Sequence, residues 1–304
     1  QLWSAYTKQI DHLCDLNIKA THISGDEQKK HVRYPLLSSL LDDCMEKGSD
    51  LVFGSVKYRL PGVGVFGSSN VYDGLAAIRK HVFTDQTVSM AELSCALREN
   101  YSGREGLRAL LANESPRFGN DIDEVDELCI PVGHAHADRF WAGTDPRGGR
   151  YTCGIWPVEG HVGTGRKTGA TPDGRKAGTP LVDGVGACQG ADKKGPTALL
   201  KSVSKLPNKD CWTAGNTCNI KFTAESVHTT DGASRLSDLL KTYMQLGGQQ
   251  LQVNIIDTET LLAAKAHPEH HRDLVVRVAG FSAYFTDLPE EVQDEIISRN
   301  SHEV

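Results

Sequence analysis

The sequence predicts an α/β fold, and three observations carry that prediction. From 195 onward, helix-length apolar periods alternate with short runs rich in β-branched residues. The first half shows mostly the i, i+3, i+4 spacing of amphipathic helices. Between them, 143–195 is rich in Gly, Thr, Asp and Pro and has few periodic runs, which reads as a long loop system with short strands.

The elements follow in order. Leu2, Trp3, Tyr6, Ile10 and Leu13 recur at helical spacing directly behind Gln1, so the chain reads as starting inside an uncapped helix and as a fragment of a longer protein. Helices are expected over 35–45, 72–83 and 104–112, and over 121 to about 130. Ser89 and Glu92 form a capping-box pattern that opens a helix to about Asn100. Short strands are expected around 152–158. Beyond 195 the pattern predicts helix 195–206, strand 219–222, helix 233–246, strand 250–256 and helix 257–266. Residues 274–285 read as a strand interrupted by Gly280. A last helix spans 289–299, with Pro289 suited to its first turn and Glu290 and Glu291 to the positive end of its dipole.

Composition narrows the function classes. The chain has 304 residues, 39% hydrophobic and 24% charged, an ordinary globular balance with material for one large domain or two. No apolar run approaches the roughly 20 residues of a membrane span, and no basic stretch leads into an apolar one at the start, so a cytoplasmic location is expected. The net charge of −6, with both signs interspersed, gives no stripe for nucleic acid. Eight cysteines without a C-x-x-C pair read as free, mostly buried thiols.

Four local motifs invite a functional reading. Gly62 to Gly67 matches G-x-G-x-x-G, but a polar segment and Pro61 precede it, so a glycine-rich loop is the better reading than a nicotinamide-dinucleotide site. His134, His136 and Asp138 have metal-ligand chemistry; on a helix, His136 would point away from the other two. Thr168 to Arg175 contains Pro-Asp-Gly, strong turn chemistry. In Arg277-Val278-Ala279-Gly280-Phe281, a glycine inside a strand-like run marks a bulge or a close backbone approach.

The run VVRVAGFSAYFTDLPEEVQDEIISRNSHEV (275–304) closely resembles the C-terminal signature of glycyl radical enzymes. YDGLAAIRKHVF (72–83), RFGNDIDEVDEL (117–128), TGATPDGRKAGTPLVDG (168–184), GPTALLKSVSKL (195–206) and GGQQLQVNIID (247–257) agree in order, so the resemblance covers nearly the whole chain. It implies the second half of a ten-stranded α/β barrel of the glycyl radical enzyme type, with residues 1–175 in the barrel domain and 176–304 as a glycine radical domain ending in a glycine loop and helix.

The resemblance further implies that Gly280 stores a protein-based radical, installed by a partner activase that carries S-adenosylmethionine and a 4Fe–4S cluster. Without a Cβ, a glycine α-carbon can become planar and share spin with its flanking amides. The radical would take hydrogen from a cysteine thiol, and the resulting thiyl would attack a small-molecule substrate. Burial would keep oxygen and water away. No cysteine here has the family's Gly-Cys-x-Glu or Cys-Cys context, so the catalytic thiol is expected upstream of Gln1; Cys153 is the one candidate here for a pocket-facing thiol. Trp156, Glu159 and His161 precede the TGATPDGR turn, where relatives line a pocket wall, and are the expected substrate contacts. The expected reaction is radical C–C, C–O or C–N cleavage, as in a dehydratase, lyase or decarboxylase, and the expected full-length state is a homodimer. Formate C-acetyltransferase activity is one alternative, set back by Ala-Gly-Phe standing where those relatives read Ser-Gly-Tyr. A non-catalytic repair subunit is the other.

Overall fold

The computed structural model describes residues 1–156 and 158–304. Its strands are β1 (Gly62–Gly64), β2 (Thr152–Ile155), β3 (Gly215–Asn216), β4 (Cys218–Phe222), β5 (Leu251–Ile255), β6 (Val275–Arg277), β7 (Ser282–Tyr284) and β8 (Ser301–His302). The chain forms two compact units whose segments interleave in sequence. The first combines Gln1–Gly64, Pro131–Gly154 and Lys209–Ala214; the second combines Val65–Ile130, Ile155–Asn208 and Gly215–Val304.

In the first unit a 30-residue helix, Leu2–His31, carries Lys29 and Lys30 in its last turn, cations suited to its negative terminus. β1 pairs with β2 in parallel, Gly62 opposite Thr152 and Gly64 opposite Gly154. The loop before β2 is fixed by the buried Asp145 carboxylate, 2.7 Å from Arg59 and 3.3 Å from Arg147. The expected helix at 35–45 closes at Ser39, and Asp43 lies at φ +73°, a backbone that no right-handed helix accepts.

In the second unit Ser68–Ile78 and its π-helical continuation to Thr84 form the helix expected at 72–83. The capping box is present in full: Glu92 N–H donates to Ser89 Oγ at 3.2 Å and Ser89 N–H to Glu92 Oε2 at 2.9 Å. The helix expected over 121–130 is instead a short turn of helix, Asp123–Asp126; the longer helix that follows, Cys129–Trp141, belongs from Pro131 onward to the first unit, with Pro131 near its start, where a missing N–H costs nothing.

A parallel sheet of order β5–β4–β8 carries the C-terminal chemistry. Cys218 lies opposite Leu251 and Phe222 opposite Ile255, while Lys221 and Phe222 face Ser301 and His302. Residues 274–285 are not one bulged strand. β6 and β7 form an antiparallel hairpin, Val275 opposite Tyr284 and Arg277 opposite Ser282, and Gly280 sits in its turn. Its φ of +97° reverses the chain there. Val278 and Ala279, just before the glycine, are buried in an apolar cluster with Val276, Phe285, Val292 and Ile296. Burial of each large side chain of this kind contributes about 1.5–3 kcal/mol, which anchors the hairpin at its base.

Candidate functional site: the glycine hairpin and its buried clamp

β5 shapes the site through its alternation. Gln252 and Asn254 point to one face and both are buried. The parallel register sets Asn219 beside Gln252 and Lys221 beside Asn254, so four polar side chains share a buried face. Parallel strands buried on both sides are usually apolar, and Asn is poorly suited to strands. The row is explained by what it holds. Asn254 Oδ1 accepts Arg277 N–H and its Nδ2 donates to the Arg277 carbonyl, each at 2.8 Å. Gln252 Oε1 accepts Gly280 N–H at 2.9 Å. The glycine turn therefore hangs from side-chain carboxamides.

A buried ionic set supports the other side. Arg299 donates to the Val278 carbonyl at 3.1 Å, to Glu295 at 2.7 Å, and lies 3.1 Å from Asp183. Glu295 also receives Gln189 Nε2 at 3.2 Å, and Asn219 donates to Asp183 at 2.9 Å. One guanidinium thus serves two carboxylates. Burial raises the Glu295 carboxyl, but Arg299 and His161 more than offset it and hold it at about 2. Asp183, with a smaller share of the same cation, is pushed up by burial beyond what Arg299 restores. Burial and the Arg299 charge bring the Lys221 ammonium down to about 8; it donates to Thr258 Oγ1 and the Ile297 carbonyl, each at 3.2 Å.

Gly280 is exposed, whereas the implied radical chemistry calls for shielding. A Cβ built on it meets nothing nearer than Gln252 Nε2 at 4.0 Å, so packing does not demand a glycine here. Trp156 and Glu159 are half-buried; Glu159, at φ +66°, caps helix Gly160–Lys167. Pro157, between them, lies outside the described residues. His161 is fully buried, with Nε2 3.5 Å from Glu295 Oε2, and so is joined to the glycine clamp rather than to a surface. That link from 161 to 295, and the carboxamide row on β5, are functional features that local motif reading missed; polar residues at i, i+2 on two neighbouring strands were the available signal.

The other motifs separate. His134 pairs with Asp138 at 3.2 Å, while His136 turns away to the Val132 carbonyl at 2.9 Å and the Trp212 ring, as a helix requires. The Gly62 loop contains β1 itself, and the helix starting at Ser68 follows Gly67. In the Pro-Asp-Gly turn, Asp173 is buried, accepts from Thr171 and takes Asn70 Nδ2 at 2.9 Å, and its carbonyl accepts Arg117 at 2.7 Å. Arg117 also lies 3.0 Å from Asp73, whose carboxyl burial pushes up to about 6 against the pull of that arginine. A cavity of about 290 Å³ between these two ionic sets is lined by Arg117, Asp173, Arg175, Gln189 and Glu295. All eight cysteines are free. Cys153 is fully buried, and burial pushes its thiol up to about 12.

Comparison with known proteins agrees over the whole chain. The Pyruvate formate lyase-like family model matches residues 1–165, and the Glycine radical model matches 181–286. The trans-4-hydroxy-L-proline dehydratase of Clostridioides difficile is 33% identical across 98% of this chain and 38% of its own. The isethionate sulfite-lyase of Nitratidesulfovibrio vulgaris is 36% identical across 100% of this chain and 37% of its own. The glycerol-bound B12-independent glycerol dehydratase of Clostridium butyricum superposes with a TM-score of 0.96 at 38% identity, over 99% of this chain and 38% of that one. The chain thus spans about 38% of the length of these relatives. With the glycine hairpin, its clamp and both family segments in one chain, the protein belongs to the pyruvate formate lyase-like family of glycyl radical enzymes.

Proposed function

We propose that this chain is the radical-storing part of a glycyl radical dehydratase or lyase, with Gly280 as the α-carbon that holds the spin. The observation that carries this is the hairpin: a glycine in open space at φ +97°, its amide held by Gln252, inside the segment matched by the Glycine radical model. Packing does not account for this glycine; its left-handed backbone calls for one, and the open space leaves its α-hydrogen accessible. A separate activase carrying S-adenosylmethionine and a 4Fe–4S cluster removes one α-hydrogen atom from Gly280. The glycyl radical then takes a hydrogen atom from a cysteine thiol, and the thiyl takes one from a small substrate; the hydrogen returns by the reverse route after bond cleavage.

We place that thiol, and the cover that exposed Gly280 needs against oxygen, in the part of the relatives' length that this chain does not span. Trp156 and Glu159 face the substrate and His161 sets the wall behind them through Glu295. Relatives named as dehydratases and a sulfite-lyase favour elimination over the formate C-acetyltransferase alternative. The setting is anaerobic and cytoplasmic, and the full-length protein is a homodimer; among the described residues no helix is long and apolar enough to cross a membrane.

Anaerobic incubation of the full-length protein with its activase, read by electron paramagnetic resonance, tests the proposal. The wild type is expected to show a glycyl doublet and Gly280→Ala none. No wild-type doublet under conditions that activate a control enzyme would overturn it.

A further inference from the structure

We infer that Gln252 is the positioning residue of the radical carbon: its side-chain carbonyl anchors the Gly280 amide, so that the rotation needed to spread the spin is taken up by the 280–281 peptide on the far side of the α-carbon and not by the 279–280 amide. This rests on the reading of Gly280 as the radical site. Spin delocalisation requires the α-carbon plane to align with the flanking peptide plane. At φ +97° the two are far from aligned, so forming the radical must turn one of them. Four contacts decide which. Asn254 holds both backbone groups of Arg277, and Arg299 holds the Val278 carbonyl, so the incoming strand is fixed. Val278 N–H donates to the Phe281 carbonyl at 2.9 Å and closes the turn. Gln252 then fixes the 279–280 amide itself.

The choice of a carboxamide is informative. The Gly280 N–H requires an oxygen, which fixes the orientation of the Gln252 side chain. Its Nε2 is left buried and, among the described residues, without a hydrogen-bond partner, 4.0 Å from where a side-chain carbon on Gly280 would stand. Gln252 supplies an acceptor to the radical amide without a negative charge.

Two measurements on the full-length protein test this. In the non-activated wild type, hydrogen exchange at the Gly280 amide is expected to be at least about tenfold slower than in an unstructured chain, although the residue is exposed; an unprotected amide would overturn the inference. In the activated protein with ¹⁵N-labelled glycine, Gln252→Met is expected to alter the nitrogen hyperfine coupling and shorten the radical's half-life several-fold, with Gln252→Glu, which keeps the acceptor, restoring the coupling. A Gln252→Met radical with unchanged coupling and half-life would also overturn it. Loss of the wild-type doublet would defeat the Gly280 reading itself, whereas a normal doublet over an unprotected amide would defeat this inference alone.

Discussion

Gly174 and Gly280 share a left-handed backbone, φ +85° and +97°, in opposite surroundings. A Cβ on Gly174 would meet the Ala112 methyl at 2.9 Å and the Arg108 carbonyl at 3.0 Å, whereas one on Gly280 would meet open space. Beneath each turn lies an arginine bonded to a backbone carbonyl and paired with buried acidic groups: half-buried Arg117 with Asp73 under the Pro-Asp-Gly turn, buried Arg299 with Glu295 and Asp183 under the glycine hairpin. The same construction thus serves two ends. In the first, glycine makes room for neighbours; in the second, it leaves room for something that arrives. A positive φ by itself does not separate a packing glycine from a working one; the surrounding space does.

The comparison can be broken most directly at the ionic sets. Glu295→Gln leaves Arg299 buried with Asp183 as its charged partner and weakens its charged hydrogen bonds, and is expected to cost about 1.5–3 kcal/mol in urea unfolding. A loss below about 1 kcal/mol would show that the hairpin does not depend on its clamp. Next comes pH. Asp73, folded at about 6 against an ordinary 3.8, binds its proton more tightly in the native state. Its contribution is therefore present below pH 4 and lost as pH rises toward 6, about 3 kcal/mol in all. Asp73→Asn should remove that slope between pH 4 and 6, and an unchanged slope would refute the buried carboxyl. Glu295 acts in the opposite sense, its stabilisation present above pH 4.5 and lost as pH falls toward 2. Last are the glycines themselves. Gly174→Ala combines overpacking with backbone strain and is expected to cost about 2–4 kcal/mol, whereas Gly280→Ala carries the strain alone, about 1–2 kcal/mol. Thermal unfolding of the two variants side by side would sharpen the distinction, and equal losses would erase it.

Much of the local structure was legible before the fold. The capping box at Ser89 and Glu92, the Asp173 turn and the C-terminal alternation of strands and helices each depend on neighbours a few residues apart, where spacing and side-chain chemistry suffice. The strand read through Gly280 failed for a reason of the same scale: apolar runs of equal length serve a bulged strand and a tight hairpin alike, and the turn is decided by pairing. The role of Gln252 and Asn254 was less legible still. In GGQQLQVNIID they look like the polar face of an amphipathic strand, and only the burial of Gln252 and Asn254 shows that face turned inward.

By itself, the sequence determined the element types, the family signature and the glycine that carries it, because these are written in contiguous residues. The tertiary structure decided which side chains hold that glycine. Gln252, Asn254, Arg299, Glu295 and His161 stand as far as 138 positions apart, 161 to 299; parallel pairing of β5 with β4 places the first two, and the packing of helix Gly160–Lys167 against helix Glu290–Ser298 brings His161 to Glu295. Long-range pairing sets the geometry of a buried hydrogen bond, and local spacing carries no information about it.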